Sequence, residues 1–514
     1  MTMTQNDEKY IIAIELSGTS VRGAAARVGA KGSVPEIIAA ETADNAACVQ
    51  YGRVQNLIEA ANHTSYVIKK LENNPALRQG KITSVYVALA GRTLSTVKTT
   101  AEISLPTEME MTEELLRRLY RDATRTIAPD RSVLKVMPRK FIVDSHPVTN
   151  PVGAMGSKFK GEFTVVVCSP VNRRNLELVM DERLNMPVAG YIVTPLAEAA
   201  MVLTEEEKQL GCVMVDFGAH TTTISIYKDR SLQYIATLPL GSKNITRDLA
   251  AGLSLTDERA ELTKCTLGAA VTKPNSSAEA NRVNGYVQAR LGEILANIVA
   301  QIGFAGFKLS DLAGGMVILG GAVKMKFFAQ FVEQQTKIKV RQASAGASLN
   351  LALGITATAE LLPLFSIVNM AAARADMVSC IELPATEVED IADDEPDTAS
   401  ADEDDNYDDA DDDENWDRDD DEVERRRIEQ RQRTQERRRK LVRDEEQRRR
   451  RNEEERLREQ RKIKGDASLD TPDDEPQSSA EHKESLLERI KNSVTNIFKS
   501  APIDDDDADL DDEQ

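Results

Sequence analysis

The sequence has little of what redox and metal sites are usually built from. Its five cysteines are scattered without a CxxC pair, and its four histidines form no cluster. Scattered thiols without ligand spacing fit a reducing compartment, in which each cysteine is a small buried apolar residue. The composition therefore argues against a disulfide framework and against a metal site made of histidine and cysteine.

Long apolar runs are also missing. The N-terminus is polar and lacks the apolar core of a signal peptide. The most apolar long stretch, 348–373, contains Gly354, Glu360 and Pro363, and this pattern predicts a buried helix rather than a membrane span. We therefore expect neither a signal peptide nor a transmembrane helix.

Negative charge is abundant but concentrated in one block. The 514-residue chain has a net charge of −20, and residues 387–422 hold 22 acidic residues against one basic residue, Arg418. Such a block cannot bury a core and is predicted to be disordered. The part before it has ordinary globular composition and is long enough for two or more domains. Because nucleic-acid binding needs a basic surface, no nucleic-acid partner is expected.

Two hairpins of the same kind are predicted about 200 residues apart. In each, an apolar strand carries a carboxylate at its end (Glu15 or Asp216), a turn of small and hydroxyl residues follows, and a second strand returns. Glycine lets the backbone approach a polyphosphate, N–H and hydroxyl groups bind its oxygens, and a carboxylate holds Mg²⁺, usually through water. An ordinary glycine turn is the alternative for either hairpin alone. As a pair, they resemble the actin/Hsp70/hexokinase superfamily, in which the nucleotide lies between two lobes.

Further motifs narrow the resemblance to one family. They lie in collinear order at 85–92, 138–144, 150–156, 194–199, 203–211, 213–227, 240–250, 260–270 and 315–322. Together they resemble FtsA, the actin-like bacterial cell-division family, over roughly residues 10–373. The resemblance implies an α/β, two-lobed actin-like ATPase fold with duplicated RNase H-like domains and an inserted 1C subdomain. The implied boundaries are 8–83 (completed by about 345–383) for subdomain 1A, 84–168 for 1C, 169–240 and 296–344 for 2A, and 241–295 for 2B.

The resemblance also implies an ATP and Mg²⁺ site between the lobes. Glu15 and Asp216 would hold the metal, mainly through water. Glu261 and Lys264 lie three residues apart in a predicted helix and so share one face. The residues expected to bind the nucleotide are Ser17, Gly18, Thr19, Ser20, Arg22, Gly218, Ala219, His220, Thr221, Thr222, Gly241, Glu261, Lys264, Gly320 and Gly321.

This chain departs from the family pattern at several of these positions. The family usually has glycine in place of Ser17 and Ala322, and often lysine in place of Ser20; Arg22 is the candidate replacement for that charge. The second turn has an alanine and a histidine where glycine is common. For this histidine, His220, a position on the turn surface is the simpler interpretation, with a phosphate contact as the alternative.

Hydrolysis requires a group that orients the attacking water. Glu198, on the helix predicted before the second hairpin, is the candidate catalytic residue, and a structural role in that helix is the alternative. Because the departures affect the packing around the phosphates, we expect at most a slow ATPase.

Five segments are predicted after the folded part. They are an acidic disordered linker at 384–422, a charged helix at 423–464, a polar linker at 465–483, an amphipathic helix at 484–500 and an acidic tail at 501–514. Apolar residues in the charged helix are too sparse for a coiled coil, so a solvated spacer is expected, with a basic arm that binds lipid or nucleic acid as the alternative.

The amphipathic helix is predicted to bind the membrane surface. Its apolar residues recur on one helical face, with positive charge beside them, and no core is available to pack on. A partner-binding helix is the alternative. Because the acidic tail is repelled by anionic lipid, binding should depend on polymer avidity. The expected membrane contacts are Leu486, Leu487, Arg489, Ile490, Lys491, Val494, Ile497, Phe498 and Lys499.

The function that the resemblance implies is cell division. We expect an ATP-binding protein that polymerises at midcell on the cytoplasmic side of the inner membrane, tethers FtsZ and recruits later divisome proteins. A small-molecule kinase of the same superfamily and a pilus-type actin-like scaffold are the alternatives.

Overall fold

The structure is a computed structural model that describes residues 8–29, 33–44 and 48–383. The five segments predicted after the folded part, from the acidic linker at 384–422 to the acidic tail at 501–514, lie outside the described residues. The predicted membrane contacts belong to these segments and lie outside the described residues too. The strands are β1 Lys9–Leu16, β2 Ser20–Val28, β3 Glu36–Asp44, β4 Val49–Gln50, β5 Arg53–Val54, β6 Lys81–Ile82, β7 Val85–Leu89, β8 Ser95–Glu110, β9 Ser132–Val143, β10 His146–Val148, β11 Met155–Cys168, β12 Val188–Val193, β13 Cys212–Phe217, β14 Thr222–Lys228, β15 Ser231–Leu238, β16 Met316–Leu319, β17 Val340–Gln342, β18 Asn350–Leu351 and β19 Ile381–Glu382. The α-helices are α1 Leu57–Glu72, α2 Glu113–Thr124, α3 Pro170–Glu177, α4 Thr194–Val202, α5 Glu205–Leu210, α6 Ser242–Leu253, α7 Asp257–Leu267, α8 Ala278–Phe304, α9 Phe328–Thr336 and α10 Leu362–Ala372.

The first lobe is built on a six-stranded sheet in the order β12-β7-β1-β2-β3-β18. β1 and β2 are antiparallel neighbours joined by the first predicted turn, and Glu15 pairs with Arg22 across them. Most side chains of both strands are buried, as expected of strands covered on both faces. Helix α1 packs so closely on β2 that a Cβ at Gly23 would lie 2.6 Å from Val67. The first turn is therefore held at the edge of a rigid core.

The second lobe is built on a nine-stranded sheet in the order β10-β9-β11-β8-β15-β14-β13-β16-β17. β13 and β14 form the second predicted hairpin, and Phe217 pairs with Thr222 where the strands end. β16 runs parallel to β13, with Leu319 beside Asp216. Because the carboxyl ends of parallel strands meet at one edge of the sheet, the second turn and the glycines after β16 lie together.

An inserted module extends this second sheet. Helix α2 packs on β8, β9 and β11 over a separate core that includes Leu119, Phe159 and Phe163. A threonine directly before Glu113 and Glu114 predicts an N-cap at Thr112. Its side chain accepts a hydrogen bond from Leu115 N, so this N-cap of α2 is confirmed. One residue pair, Ser95 with Ala236, joins β8 to β15.

The sheets differ from the predicted subdomain boundaries at two strands. Residues 84–168 were assigned to the inserted subdomain, but β7 pairs with β1 and β12 in the first sheet. Residues 169–240 were assigned to the second lobe, but β12 also lies in the first sheet. Both strands are apolar runs whose partners are distant in sequence, so local pattern does not reveal their sheet. The inserted sheet begins at Ser95 rather than at residue 84.

Two predicted helices are shorter than their sequence patterns suggested. The apolar spacing of 49–71 predicted one helix, but residues 49–54 form the β4–β5 hairpin, and α1 starts after its N-cap Asn56. The stretch 348–373 was predicted to be a buried helix, yet only α10 is helical. Leu353 is fully exposed in the segment before it. Apolar composition alone thus overestimated the length of both helices. No helix in the described part of the chain is long and apolar enough to cross a bilayer.

Candidate nucleotide-binding cleft

A cleft of about 500 Å³ lies where the two hairpin turns face each other. Residues of both sheets line it, so it is shared between the lobes. Most of the predicted site residues are brought together here. Those that line the cleft are Glu15, Ser17, Gly18, Thr19, Arg22, Asp216, Gly218, Ala219, His220, Thr221, Glu261, Lys264, Gly320 and Gly321.

The first turn is closed by its own hydroxyl groups. Ser17 N and Ser17 Oγ donate to the carbonyl oxygen of Ser20, at 2.9 and 2.8 Å. Arg22 Nε donates to Ser20 Oγ at 2.8 Å, and another guanidinium nitrogen lies 3.4 Å from a carboxylate oxygen of Glu15. Ser20 is buried beneath the turn and does not line the cleft. Ser20 therefore supports the turn from beneath, whereas Arg22 neutralises part of the charge of Glu15.

The second turn is closed in a similar way and is tied to α6. Gly218 N donates to the carbonyl oxygen of Thr221 at 2.9 Å, and Thr222 Oγ1 donates to the carbonyl oxygen of Leu240 at 2.9 Å. A Cβ at Gly241 would lie 2.4 Å from the carbonyl oxygen of Ala219. Thr222 and Gly241 do not line the cleft; they hold the second turn against the start of α6.

Three carboxylates, those of Glu15, Asp216 and Glu198, lie close together, and Arg22 forms an ion pair with one of them, Glu15. Burial raises the pKa of Glu15, and Arg22 opposes this rise. Burial and the charge of Glu15 raise the pKa of Asp216 to about 7. Glu198 on α4 is 1% exposed, and burial, Asp216 and Glu15 raise its pKa well above the ordinary value. Because like charges repel in a buried site, this group favours a proton or a cation.

Glu198 lies beneath the turns rather than in the cleft wall. It is not among the lining residues, and its Oε1 is buried without a hydrogen-bond partner among the described residues. In the same part of the chain, no group of three or more His, Cys, Asp or Glu side chains is placed to hold a metal ion. A cation here would therefore take its remaining ligands from water and from a bound molecule.

Helix α7 contributes a tightly connected pair. Lys264 Nζ lies 2.8 Å from a carboxylate oxygen of Glu261, which confirms that the two residues share a face. The same Nζ donates to Thr246 Oγ1 at 3.0 Å and to the carbonyl oxygen of Ser242 at 3.3 Å. Burial opposes ionisation of Glu261, but the hydrogen bonds from Lys264 and Thr246 outweigh it and hold its pKa below the ordinary value. The pair therefore ties α7 to the start of α6.

The two glycines after β16 have different environments. Gly320 has a φ of +92°, and a Cβ there would lie 2.2 Å from Asp216 Oδ1. Only glycine fits this conformation and this contact. A Cβ at Gly321 would meet nothing within 4 Å, because the residue faces the open cleft.

His220 does not lie on the turn surface, so the simpler interpretation was wrong. Its Nδ1 is buried without a hydrogen-bond partner in the described part of the chain. The imidazole reaches the first turn, where a Cβ at Gly18 would lie 2.7 Å from Nδ1. The turn pattern did not reveal this, because the contact crosses between the lobes.

The cleft also contains residues that the sequence analysis did not select. Lys324 and Lys326 follow the glycine pair and line the cleft. Their position just after the end of β16 could have indicated this from the sequence. Lys324 pairs with Glu360, which also lines the cleft. Cys265 beside Lys264 lines it too, and it is the exposed cysteine, whereas the other four are buried as predicted.

Comparison with known proteins agrees with this architecture. A solved structure described as a PilM–PilN type IV pilus biogenesis complex superposes with a TM-score of 0.52 and 13% identity, covering 71% of this chain and 98% of that chain. With two α/β lobes around a cleft, the protein has the actin-like ATPase fold, and the predicted fold class is confirmed.

The sequence comparisons identify the family. Residues 213–359 match the family described as cell division protein FtsA, and residues 91–167 match the SHS2 domain inserted in FtsA. Cell division protein FtsA of Porphyromonas gingivalis is 29% identical over 349 residues, which span 64% of this chain and 72% of that protein. The protein of Escherichia coli K12 is 28% identical over 305 residues, spanning 54% and 71%. The chain belongs to the FtsA family of cell-division proteins.

Proposed function

We propose that the cleft binds ATP together with Mg²⁺. The observation that supports this most is the pair of hairpin turns, one from each sheet, that line the same cleft. Small residues and hydroxyl groups at both turns suit the close approach and oxygen binding that a triphosphate needs. On the other side of the cleft, Glu261, Lys264 and Gly321 would border the ribose and the base.

The carboxylates support the metal part of the proposal. Glu15 and Asp216 line the cleft, and both have raised pKa values because burial disfavours their charges. A divalent cation relieves that cost. Mg²⁺ retains several waters and takes phosphate oxygens as ligands, so it does not need three protein ligands here. Glu198, in the layer below, would orient water near the metal, and the resulting ATPase is slow.

At the level of the cell, we propose that the protein acts in division as a membrane-bound polymer. ATP sets the conformation that polymerises at midcell, on the cytoplasmic side of the inner membrane. The polymer tethers FtsZ and recruits later divisome proteins, with residues 241–295 receiving the FtsZ tail. The inserted module, residues 95–168, contacts a neighbouring subunit or a later division protein. Membership of the FtsA family supports this assignment, and the sequence pattern of 484–500 supports lipid binding.

Liposome co-sedimentation with Mg-ATP tests the membrane part. It compares the full chain, a truncation before Ser485 and Leu487→Asp, on vesicles that contain anionic lipid. The full chain is expected to pellet with the vesicles, and the two variants to remain in the supernatant. Equal pelleting of all three would show that the terminal helix is not the anchor. Phosphoryl transfer to a metabolite without lipid binding would instead favour the kinase alternative.

A further inference from the structure

A basic surface lies where the inserted module meets the end of α8. Lys98 of β8 donates from Nζ to the carbonyl oxygen of Ala305, directly after α8, at 3.3 Å. Lys228, at the end of β14, donates to the carbonyl oxygen of Asp311 at 3.1 Å. The two Nζ atoms lie 5.9 and 6.0 Å from the centre of the Phe307 ring. One aromatic ring thus has two ammonium groups beside it.

Arg139 adds a third cation to this surface. The register of β9 against β11 shifts between Pro138 and Lys140, so Arg139 is the extra residue of a β-bulge. Such a bulge changes the direction in which a side chain points. The Nε of Arg139 is buried and has no hydrogen-bond partner among the described residues. Burial, followed by the charge of Arg139, lowers the pKa of Lys98, so the two positive charges lie near each other.

No carboxylate balances these charges within the described part of the chain. Each lysine uses one of its three N–H donors on a carbonyl oxygen, and neither they nor Arg139 form an ion pair there. Phe304, the last residue of α8, is 79% exposed beside them. We call this surface, which lies outside the nucleotide cleft, the α8-end patch; it consists of Lys98, Arg139, Lys228, Phe304 and Phe307. It suits a partner that is anionic and partly apolar.

The sequence of the chain contains a segment with this chemistry. The acidic tail 501–514 has eight acidic residues, no basic one, and the apolar residues Ile503 and Leu510. The helix predicted before it, 484–500, has three basic and two acidic residues, too few to neutralise the tail. The larger acidic block differs, because the Arg-rich segment 423–464 follows it directly and offers counter-charge. Residues 384–500 connect the tail to the folded part and are long enough for it to reach the patch.

We propose that the α8-end patch binds the acidic tail 501–514 of the same chain and thereby keeps the helix 484–500 away from lipid. Acidic side chains of the tail neutralise the three cations, and its apolar residues cover Phe304. Because the helix directly precedes the tail, binding of the tail holds the helix beside the folded part. The effect on lipid binding rests on the proposed membrane function, whereas the contact between tail and patch does not.

A peptide titration tests the contact without lipid. The receptor is the full chain with the eight acidic residues of its tail changed to asparagine and glutamine, so that its own tail does not compete. The probe is a fluorescein-labelled peptide of residues 501–514, and fluorescence anisotropy measures its binding. The double variant Lys98→Glu, Arg139→Glu of this receptor should bind at least about tenfold more weakly, because two attractions become repulsions. High salt should weaken binding as well.

Two further variants of the receptor make the titration specific. Arg117→Glu with Arg121→Glu makes the same charge change on the exposed face of α2 and should lose less than about twofold. Phe304→Ser changes an exposed side chain, leaves the fold intact and should lose about fivefold, since apolar contact is removed. Equal losses in the two charge variants would indicate unspecific attraction. That result, or a peptide that does not bind, or unchanged affinity in the patch variants, would overturn the inference.

Co-sedimentation with anionic vesicles and Mg-ATP tests the effect on lipid binding. In the full chain, Lys98→Gln with Arg139→Gln should release the tail and raise the fraction that pellets severalfold. The same substitutions should have no effect when the tail is neutral. A lower fraction would show that the patch itself contacts lipid, and an unchanged one that the tail does not restrain the helix; either result would overturn the proposed restraint. If no form of the chain binds vesicles but the peptide still binds the patch, the proposed membrane function fails and the contact stands.

Discussion

At the scale of single residues, the cleft is defined by carboxylates that lie close together, and the repulsion between their charges costs free energy. The charge of Glu15 raises the pKa of Asp216, and the charges of both raise the pKa of Glu198, while Arg22 is the cation that contacts Glu15. Such an arrangement does not maximise the stability of the empty protein. It is expected of a site that binds a cation, because binding of the cation offsets the repulsion between the carboxylates.

The carboxylates make the stability of the nucleotide-free protein depend on pH. The pKa of Asp216 is raised from 3.8 to about 7, so its contribution is fully present below about pH 4 and is lost as pH rises through 7. Between pH 5 and pH 7 wild type should therefore lose stability relative to Asp216→Asn, by at most about 1.4 kcal/mol per pH unit. Urea unfolding at both pH values without Mg²⁺ measures this. Glu206→Gln, which changes the same charge at an exposed position, is the control, and parallel loss in wild type and Asp216→Asn would contradict the account.

The two adjacent glycines after β16 predict opposite responses to alanine. Gly320→Ala should cost about 2–4 kcal/mol of unfolding free energy, because its φ is left-handed and the new Cβ would meet Asp216 Oδ1. Gly321→Ala should change it by less than about 0.5 kcal/mol, because its Cβ enters open space. Chemical denaturation of both variants measures the difference. Similar costs at the two positions would show that the turn is described wrongly.

At the scale of secondary-structure elements, the second wall of the cleft depends on the link between α6 and α7. Lys264 is 7% exposed and bonds to Glu261, Thr246 and the carbonyl oxygen of Ser242. One side chain thus positions the start of α6, which also supports the second turn through hydrogen bonds from Ser242 N and Lys243 N.

Removal of this link should affect both stability and nucleotide binding. Lys264→Met keeps the length of the side chain but leaves Glu261 without its cation, at a cost of about 1–3 kcal/mol. We expect nucleotide affinity to fall as well, because Lys264 lines the cleft. Denaturation and nucleotide titration of the same variant measure the two effects. Lys208→Met, which breaks an ion pair with the exposed Glu205 outside the cleft, is the control and should retain the affinity.

Local pattern predicted those elements whose signal is contained in a few neighbouring residues. Both hairpins, the N-cap Thr112 and the strand end at Gly320 are of this kind. The β4–β5 hairpin was mistaken for helix because the apolar helical spacing of α1 was extended back over the short segment that precedes it. The hairpin conformation depends on packing of Gly52 against Gly91, where a Cβ at Gly52 would lie 2.2 Å from Gly91 Cα. Because Gly91 is distant in sequence, no local pattern indicated this contact.

The same limit applies to the candidate site. Fourteen of the residues that the two turns and the family resemblance predicted for the site line the cleft, but Ser20, Thr222 and Gly241 support the turns from behind. The contact of His220 with Gly18 and Tyr51 joins residues from different lobes, so no single stretch of sequence contains it. Which sheet receives β7 and β12 is likewise decided by distant partners.

At the scale of the whole molecule, the two sheets act as supports that bring two distant turns to one cleft. A ligand that bridges the turns should therefore protect both of them together. In hydrogen–deuterium exchange, Mg-ATP is expected to slow exchange at 17–20 and at 218–221 to a similar extent. Exchange in α2, which belongs to the inserted module, should not change. Protection of one turn alone would contradict a nucleotide that spans the cleft.

The most direct measurement fills the cleft by substitution and titrates Mg-ATP by calorimetry. Gly321→Leu places a side chain in open space of the cleft, and Gly303→Leu places the same side chain in open space on α8, outside the cleft. Both variants should fold as wild type does. Mg-ATP should bind to wild type and Gly303→Leu with similar affinity, and Gly321→Leu should lose at least about a hundredfold, since a steric clash of about 3 kcal/mol suffices for this. Equal affinity in all three proteins, or no binding to wild type, would contradict a nucleotide site between the two turns.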